Sequence, residues 1–312
     1  MEKFSVNIII PCYNEKGNIE KLVTEIYKAM DAVSDMYDYC ITFVNDGSDD
    51  GTLELLMEMS KLDKRIKYLH FSKNFGHQLA VKAGIDYSKE DIVISMDADL
   101  QHPPGMIPLL LQKWKEGFQV VNTLRVYPEN ISKKKRLTSR GFYKILNFIS
   151  EEKIIDGSAD FRLMDKLVVN IIKKMDESEP FLRGIIPWVG FSQTYVPYQA
   201  HQRFSGKTKY TIKKMFSLAI SGMTSFSVKP LYFGVYLGFL FSFLSILYVP
   251  YVAYSFINGS EISGWASLIM TIVFFGGLQL SILGIIGIYI GKVFKQTKNR
   301  PNYIVQHKNL QE

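Results

Sequence analysis

The first 125 positions alternate between short, mainly apolar runs and longer stretches of helical periodicity. Residues 6–10, 40–44, 66–71, 92–96 and 120–123 form the runs, which have the length and character of strands buried on both faces of a parallel sheet. Between them, 19–33, 53–62, 79–87 and 106–114 carry apolar residues at helical spacing, as Ile19, Leu22, Val23, Ile26 and Met30 do. Strand and helix alternating in this way predict βαβ units and a mostly parallel sheet with helices on both faces. Ligands of such sheets bind outside the carboxyl ends of the strands. The stretches expected there are "PCYNE", "NDGSDDGT", "SKNFGHQ" and "DADLQHPP".

The pattern changes near residue 229. No charged residue occurs in the 31 positions 230–260, nor in the 30 positions 262–291. A bilayer core of about 30 Å needs roughly 20 helical residues, so two transmembrane helices are expected, at about 231–257 and 265–291, with Pro250 kinking the first. Gly234-xxx-Gly238 and Gly287-xxx-Gly291 are spacings that let helices approach closely. Lys229, Lys292, Lys295, Lys298 and Arg300 flank the outer ends, whereas the connecting loop carries only Glu261. The positive-inside rule then places both termini in the cytoplasm. The first residues have too short an apolar core for a signal peptide, so Cys12 and Cys40 are expected as free, buried thiols in a reducing compartment. The expected organisation is a cytoplasmic catalytic domain over 1–210, a juxtamembrane helix over 211–228, the two spans within 229–294 and a cytoplasmic tail over 295–312.

Charge refines this picture. Residues 132–148 mix six basic residues with Leu137, Phe142, Tyr143, Ile145, Leu146 and Phe148, and 211–227 lead into the first span. Basic amphipathic helices favour anionic membrane lipids, and the net charge of +7 reads as attraction to that surface. Nucleic acid is excluded as a partner, because the crevice expected at the strand ends is acidic: Glu15, Asp46, Asp49, Asp50, Asp97 and Asp99. No GxGxxG and no GxxxxGK(S/T) occurs, which removes the main support for dinucleotide and P-loop sites. No CxxC or His-rich spacing suggests zinc. Asp49 and Asp50 are expected to cap helices and make turns. Asp97 and Asp99 together carry more charge than one cap needs. Mg²⁺ or Mn²⁺ held by Asp97 and Asp99, with Gln101 adding an amide oxygen, would account for the pair and point to a diphosphate substrate that completes the shell.

Seven strings occur in an order that resembles family 2 glycosyltransferases: "VNIIIPCYNEKGNI", "VNDGSDDGT", "SKNFGHQLAVKAGID", "MDADLQHPP", "DFRL", "RGIIPWVGF" and "RFSGKTKY". The chain looks like the branch of dolichol-phosphate mannose synthase and the bacterial undecaprenyl-phosphate glucosyltransferases, over almost its whole length and including the "RPNYIV" tail. The resemblance implies a GT-A type, Rossmann-like α/β domain followed by amphipathic interface helices and a two-helix transmembrane hairpin. It implies an inverting, metal-dependent transfer of one sugar from a nucleotide sugar to undecaprenyl phosphate at the cytoplasmic face. UDP-glucose is the first expectation for the donor, with UDP-N-acetylglucosamine or another hexose as the alternative; whether the chain forms a homo-oligomer is left open.

Carried over by residue, the resemblance implies that Pro11, Tyr13, Glu15, Val44, Asp46 and Ser48 hold the nucleoside. Asp97, Ala98 and Asp99 would span ribose, diphosphate and metal, with Gln101 as a further ligand. Arg203 and Lys209 would grip the donor diphosphate or the acceptor phosphate, and Asp160 would sit beside the reacting phosphate. The chain departs from many relatives at Gln199, Ala200, His201 and Gln202, where they carry more arginine, and at Lys207, often acidic in relatives. Lys207 is therefore a third candidate for phosphate. A phosphate monoester has a second pKa of about 6 and is mostly dianionic at neutral pH. Asp160 is thus expected to work by position, orienting Arg162, Arg203 or Lys209 or completing a polar network, and not as a base. A processive polysaccharide synthase is disfavoured by the lack of Gln-x-x-Arg-Trp and by having only two spans. A non-catalytic scaffold is disfavoured by the presence of Asp97, Asp99, Asp160, Arg203 and Lys209.

Overall fold

A computed structural model describes residues 3–126, 157–178, 180–199, 227–258 and 264–310. They fall into two compact units: a sheet domain that takes in the segment starting at Arg300, and a pair of long helices before it. In the sheet domain the expected elements form in order: β1 (Phe4–Cys12), α1 (Lys16–Asp31), β2 (Tyr37–Asn45), α2 (Thr52–Leu62), β3 (Ile66–Phe71), α3 (His77–Tyr87), β4 (Ile92–Ser95), α4 (Ile107–Lys115) and β5 (Val120–Val126). Further elements complete it: β6 (Ser158–Asp165), α5 (Lys166–Lys174), α6 (Leu182–Trp188), β7 (Gln193–Gln199) and β8 (Val305–Lys308).

The eight strands lie in the order β7-β5-β6-β4-β1-β2-β3-β8. β1 pairs in parallel with β2 and β4, β2 with β3, and β5 with β7. β6 runs antiparallel to β4 and β5, and β8 antiparallel to β3. Two features of this order make the site. The chain steps outward from β1 to β3, then returns through α3 to lay β4 on the other side of β1. The strand order reverses there, and a crevice opens at the carboxyl ends of β1 and β4. Beside it β6 enters in the opposite sense, with Arg162 paired to Ser95. The start of β6 therefore lies next to the end of β4, and Asp160 arrives at the same edge as Asp97 and Asp99.

The core explains why these strands are central. Val6, Ile8, Ile9, Ile10, Ile92, Val93 and Ile94 are fully buried, each such side chain contributing about 1.5–3 kcal/mol. α3 seats on β1 through small residues, Ala80, Ala83 and Gly84. A Cβ on Gly84 would stand 2.3 Å from Cγ2 of Ile9, so the approach is one only glycine permits. That approach sets where the first residue of α3, His77, meets the crevice. Cys12 and Cys40 are buried and free, as expected, and burial pushes the Cys40 thiol up to about 12.

The segment from Arg300, within the expected C-terminal tail, belongs to the sheet domain. β8 closes the exposed edge of β3, where Asn309 accepts from the Tyr68 amide at 2.6 Å and donates to the Ile66 carbonyl at 3.2 Å. Tyr303 stacks on Phe71 at 5.2 Å and donates to Asp86 at 2.9 Å. An edge covered in this way is not open to another chain.

In the second unit, α7 (Lys229–Ile257) and α8 (Trp265–Thr297) pack antiparallel. Phe241 meets Phe275 at 5.1 Å, a Cβ on Gly234 would lie 3.3 Å from Ile282, and Tyr289 donates to the Ser227 carbonyl at 2.6 Å. Gly234 thus serves close packing, whereas among the described residues nothing lies within 4 Å of a Cβ added at Gly238, Gly287 or Gly291. Pro250 lies inside α7. Phe274–Thr297 is long and apolar enough to cross a membrane, and Leu231–Phe241 is a shorter apolar stretch. The basic stretch 132–148 and nearly all of 211–227 lie outside the described residues.

Gly84→Ala should destabilise the fold by about 1–3 kcal/mol through overpacking, read as a lowered urea midpoint. Ile9→Ala in the same chain should recover part of that loss. Strictly additive effects would show that the two positions do not meet.

Candidate active site

A cleft of about 520 Å³ opens at the carboxyl ends of β1, β2 and β4 and the start of β6. Pro11, Tyr13, Glu15, Asp46, Asp97, Ala98, Asp99 and Asp160 all line it, so eight residues expected at the site converge. Three others do not line it. Val44 is fully buried, because β2 is covered on both faces. Ser48 braces the loops instead, accepting from the Asn14 amide at 2.9 Å and donating its own amide to Asn45 at 3.0 Å. Gln101 turns its amide nitrogen onto Asp99 Oδ2 at 2.8 Å, which leaves only its oxygen for any cation. Arg203, Lys207 and Lys209 lie outside the described residues.

The cleft walls are loops tied to one another. Asn14, at φ 55°, exchanges two hydrogen bonds with Asp49, at 2.6 and 3.0 Å. Asp50 accepts from the amides of Thr52 at 3.0 Å and Lys16 at 3.2 Å, which serves the starts of α2 and α1. Asp50 therefore serves the helix starts as expected, whereas Asp49 ties its loop to the one after β1. Asp46 accepts from the amides of Phe75 at 2.6 Å and Gly76 at 2.9 Å, holding the loop before α3; its burial still pushes the carboxyl up. Leu100 is buried at φ 61°, a left-handed conformation that costs a bulky residue roughly 1–2 kcal/mol. The bend it makes brings the Gln101 amide back onto Asp99 at 3.1 Å.

Among the described residues no group of three or more His, Cys, Asp and Glu side chains is arranged to hold a metal ion. Two carboxylates do share one wall. Asp97 Oδ1 is buried and makes no hydrogen bond, with His77 Nε2 at 3.5 Å, and Asp99 is 8% exposed beside it. The Asp97 amide donates to His102 Nδ1 at 3.0 Å, which fixes that imidazole under the loop against Phe161. A hard divalent cation bound by one or two carboxylates and finished by substrate phosphates fits this donor set.

Asp160 is held from three sides. Arg183 forks onto it, with Nε at 3.0 Å from Oδ1 and a terminal nitrogen at 2.9 Å from Oδ2. Arg162 reaches Oδ1 at 3.1 Å and His77 stands 3.4 Å from Oδ2. Burial works against the charge on Asp160, but the Arg183 guanidinium, the His77 hydrogen bond and Arg162 outweigh it and hold the carboxyl well below its usual range. Burial also opposes charge on His77; the Asp160 hydrogen bond and the charges of Asp97 and Asp160 outweigh it and raise the imidazole to about 9. At neutral pH the cluster is one carboxylate among two guanidiniums and an imidazolium. A carboxylate so committed cannot accept a proton readily. Arg162 was expected here from the sequence; His77 and Arg183 were not. Both sit in strings quoted above, "SKNFGHQ" and "RGIIPWVGF", but nothing local ties either to Asp160.

Comparison with known proteins agrees with this geometry. The glycosyl transferase family 2 model matches residues 7–171. An uncharacterized glycosyltransferase of Bacillus subtilis, YkcC, is 42% identical over 96% of this chain and 93% of its own length. The bactoprenol glucosyl transferase of Shigella phage SfII is 36% identical over 96% of this chain and 97% of its own. Among solved structures, the mannosyltransferase PcManGT of Pyrobaculum calidifontis, in complex with GDP-Man and Mn²⁺, is similar in fold: its TM-score is 0.51 at 14% identity, covering 95% of this chain and 87% of that one. The α/β sheet with its crevice at the β1/β4 switch point is thus a glycosyltransferase scaffold, and the chain belongs to glycosyl transferase family 2.

Proposed function

We propose that this glycosyltransferase moves one sugar from a nucleotide sugar, UDP-glucose, to polyprenyl phosphate at the cytoplasmic face of the membrane, with inversion at the anomeric carbon. The observation that carries the reading is the state of Asp160. A hydroxyl acceptor needs a general base, and the carboxylate at the centre of this cleft is committed to three cations. A phosphate monoester needs none, since it is largely dianionic above about pH 6. The 36% identity to the phage bactoprenol glucosyl transferase over nearly its full length supports a lipid-phosphate acceptor and a glucosyl donor.

In the mechanism an acceptor phosphate oxygen attacks the anomeric carbon as the bond to the diphosphate breaks. The electron pair leaves on the nucleoside diphosphate, and one displacement inverts the centre. Pro11, Tyr13, Glu15 and Asp46 form the wall for the nucleoside. Asp97 and Asp99 would hold Mg²⁺ or Mn²⁺, which supplies charge neutralisation to the departing diphosphate. His77 lies between Asp97 and Asp160, at 3.5 and 3.4 Å, and keeps the two carboxylates in register. Arg203, Lys207 and Lys209 are proposed to grip the donor diphosphate or the acceptor phosphate.

The paired helices are proposed as the membrane hairpin. Phe239, Leu280, Ile246 and Ile290 are each more than 60% exposed, and apolar surface on this scale marks contact with lipid or partner. With the uncharged stretch 230–260, it supports α7 as a second span beside α8. Anionic lipids would meet the basic segments 132–148 and 211–227.

EDTA should abolish transfer and Mg²⁺ or Mn²⁺ restore it, and Asp99→Asn should weaken Mn²⁺ binding, read by electron paramagnetic resonance, with the melting temperature kept. Full turnover in EDTA would refute the cation. Asp160→Asn should cut turnover at least tenfold. Because a phosphate monoester is already largely dianionic at neutral pH, raising the pH from neutral to mildly alkaline should not rescue the variant; recovery to near the wild-type rate would make Asp160 a base. For topology, Ser260→Cys should react with an impermeant thiol reagent from outside intact cells, and Lys298→Cys only after permeabilisation. Labelling of Lys298→Cys from outside would overturn the hairpin.

A further inference from the structure

The cleft poses an electrostatic problem for the proposed acceptor. Glu15, Asp46, Asp97 and Asp99 line it, and two of these charges would be spent on a cation bound to the donor. A second dianion entering from the other side meets a wall that repels it, unless a cation stands there already. Among the described residues that line the cleft, Arg183 is the only lysine or arginine.

Three properties set Arg183 apart. It is fixed, because its Nε and a terminal nitrogen fork onto Asp160 at 3.0 and 2.9 Å. Such a fork holds the guanidinium plane as a single ion pair does not. It is accessible: its side chain is 28% exposed, whereas Arg162, the other guanidinium on the same carboxylate, is 3% exposed and also donates to the Ala159 carbonyl. It also lines the cleft, so of the two guanidiniums that meet Asp160 it is the one presented there, beside the imidazole of His77.

Resting on the function proposed above, we infer that Arg183 is the acceptor-phosphate contact of the cleft, and that Asp160 is the positioning residue that aims it. The carboxylate holds one edge of the guanidinium and fixes its plane for the incoming phosphate. The attacking oxygen is thereby placed opposite the Asp97 and Asp99 wall, where the leaving diphosphate lies. This gives Asp160 a role that needs no proton transfer, and it explains why a group beside a phosphate dianion is itself anionic.

The test is steady-state kinetics of the full chain in detergent with polyprenyl phosphate and UDP-glucose, alongside nucleotide binding measured with UDP and Mn²⁺. Arg183→Gln should raise the KM for polyprenyl phosphate at least tenfold while UDP affinity stays within twofold. Arg183→Lys keeps the charge and loses the fork, so its acceptor KM should rise less. Should Arg183→Gln fail to fold, Arg183→Lys supplies the same comparison. Asp160→Asn should raise the acceptor KM as well, which a carboxylate of purely structural use would not do selectively. An unchanged acceptor KM in a folded Arg183 variant, or a matching loss of UDP affinity, overturns the assignment. Absence of transfer to polyprenyl phosphate by the wild-type protein, from any nucleotide sugar, instead overturns the function on which it rests.

Discussion

The site depends on one buried carboxylate. Asp160 gathers His77 from the start of α3, Arg162 from its own strand and Arg183 from α6, and its carbonyl accepts from Ser95 on β4 at 2.6 Å. An unpaired carboxylate in this place would cost several kcal/mol, so the cations are a condition of its burial. They also do more than satisfy it. Arg162, Arg183 and His77 stand around this one carboxylate at the edge of a cleft that Glu15, Asp46, Asp97 and Asp99 also line, and His77 joins the two groups.

Strand direction makes the meeting possible. In a wholly parallel sheet the carboxyl edge would receive only residues that end strands. β6 is antiparallel, so the residues that begin it reach that edge, and Asp160 faces Asp97 across the turn after β4. α3 completes the arrangement from the other side. Its small-residue contact with Ile9 lets the helix sit low on the sheet, and its first residue stands between the two carboxylates.

Much of this was legible in the chain. The first five strands and four helices follow from apolar periodicity, because those strands are buried on both faces and α1, α2 and α4 on one, while α3 is buried all round over 80–85. The carboxyl-end rule then places Tyr13, Asp46, Asp97 and Asp99 together without reference to any relative. What could not be read was pairing between distant segments. His77 and Arg183 lie 83 and 23 residues from Asp160, and no periodicity links a helix start to a strand start. Val44 shows the converse case, since a residue near a strand end shares the address of the site while its side chain belongs to the core. β8 was hidden for a similar reason: four residues that pair with a strand more than 230 positions earlier carry no pattern of their own.

The account turns on a phosphate oxygen displacing a nucleoside diphosphate in one step. The most direct measurement is the structure of the product. Purified protein supplied with UDP-glucose labelled with ¹³C at the anomeric carbon and with undecaprenyl phosphate should yield a lipid-extractable glucosyl phosphodiester, with ¹³C–³¹P coupling at the anomeric carbon and the β configuration by NMR. An α-linked product, a polymer, or label bound to a hydroxyl oxygen without phosphorus coupling would contradict it.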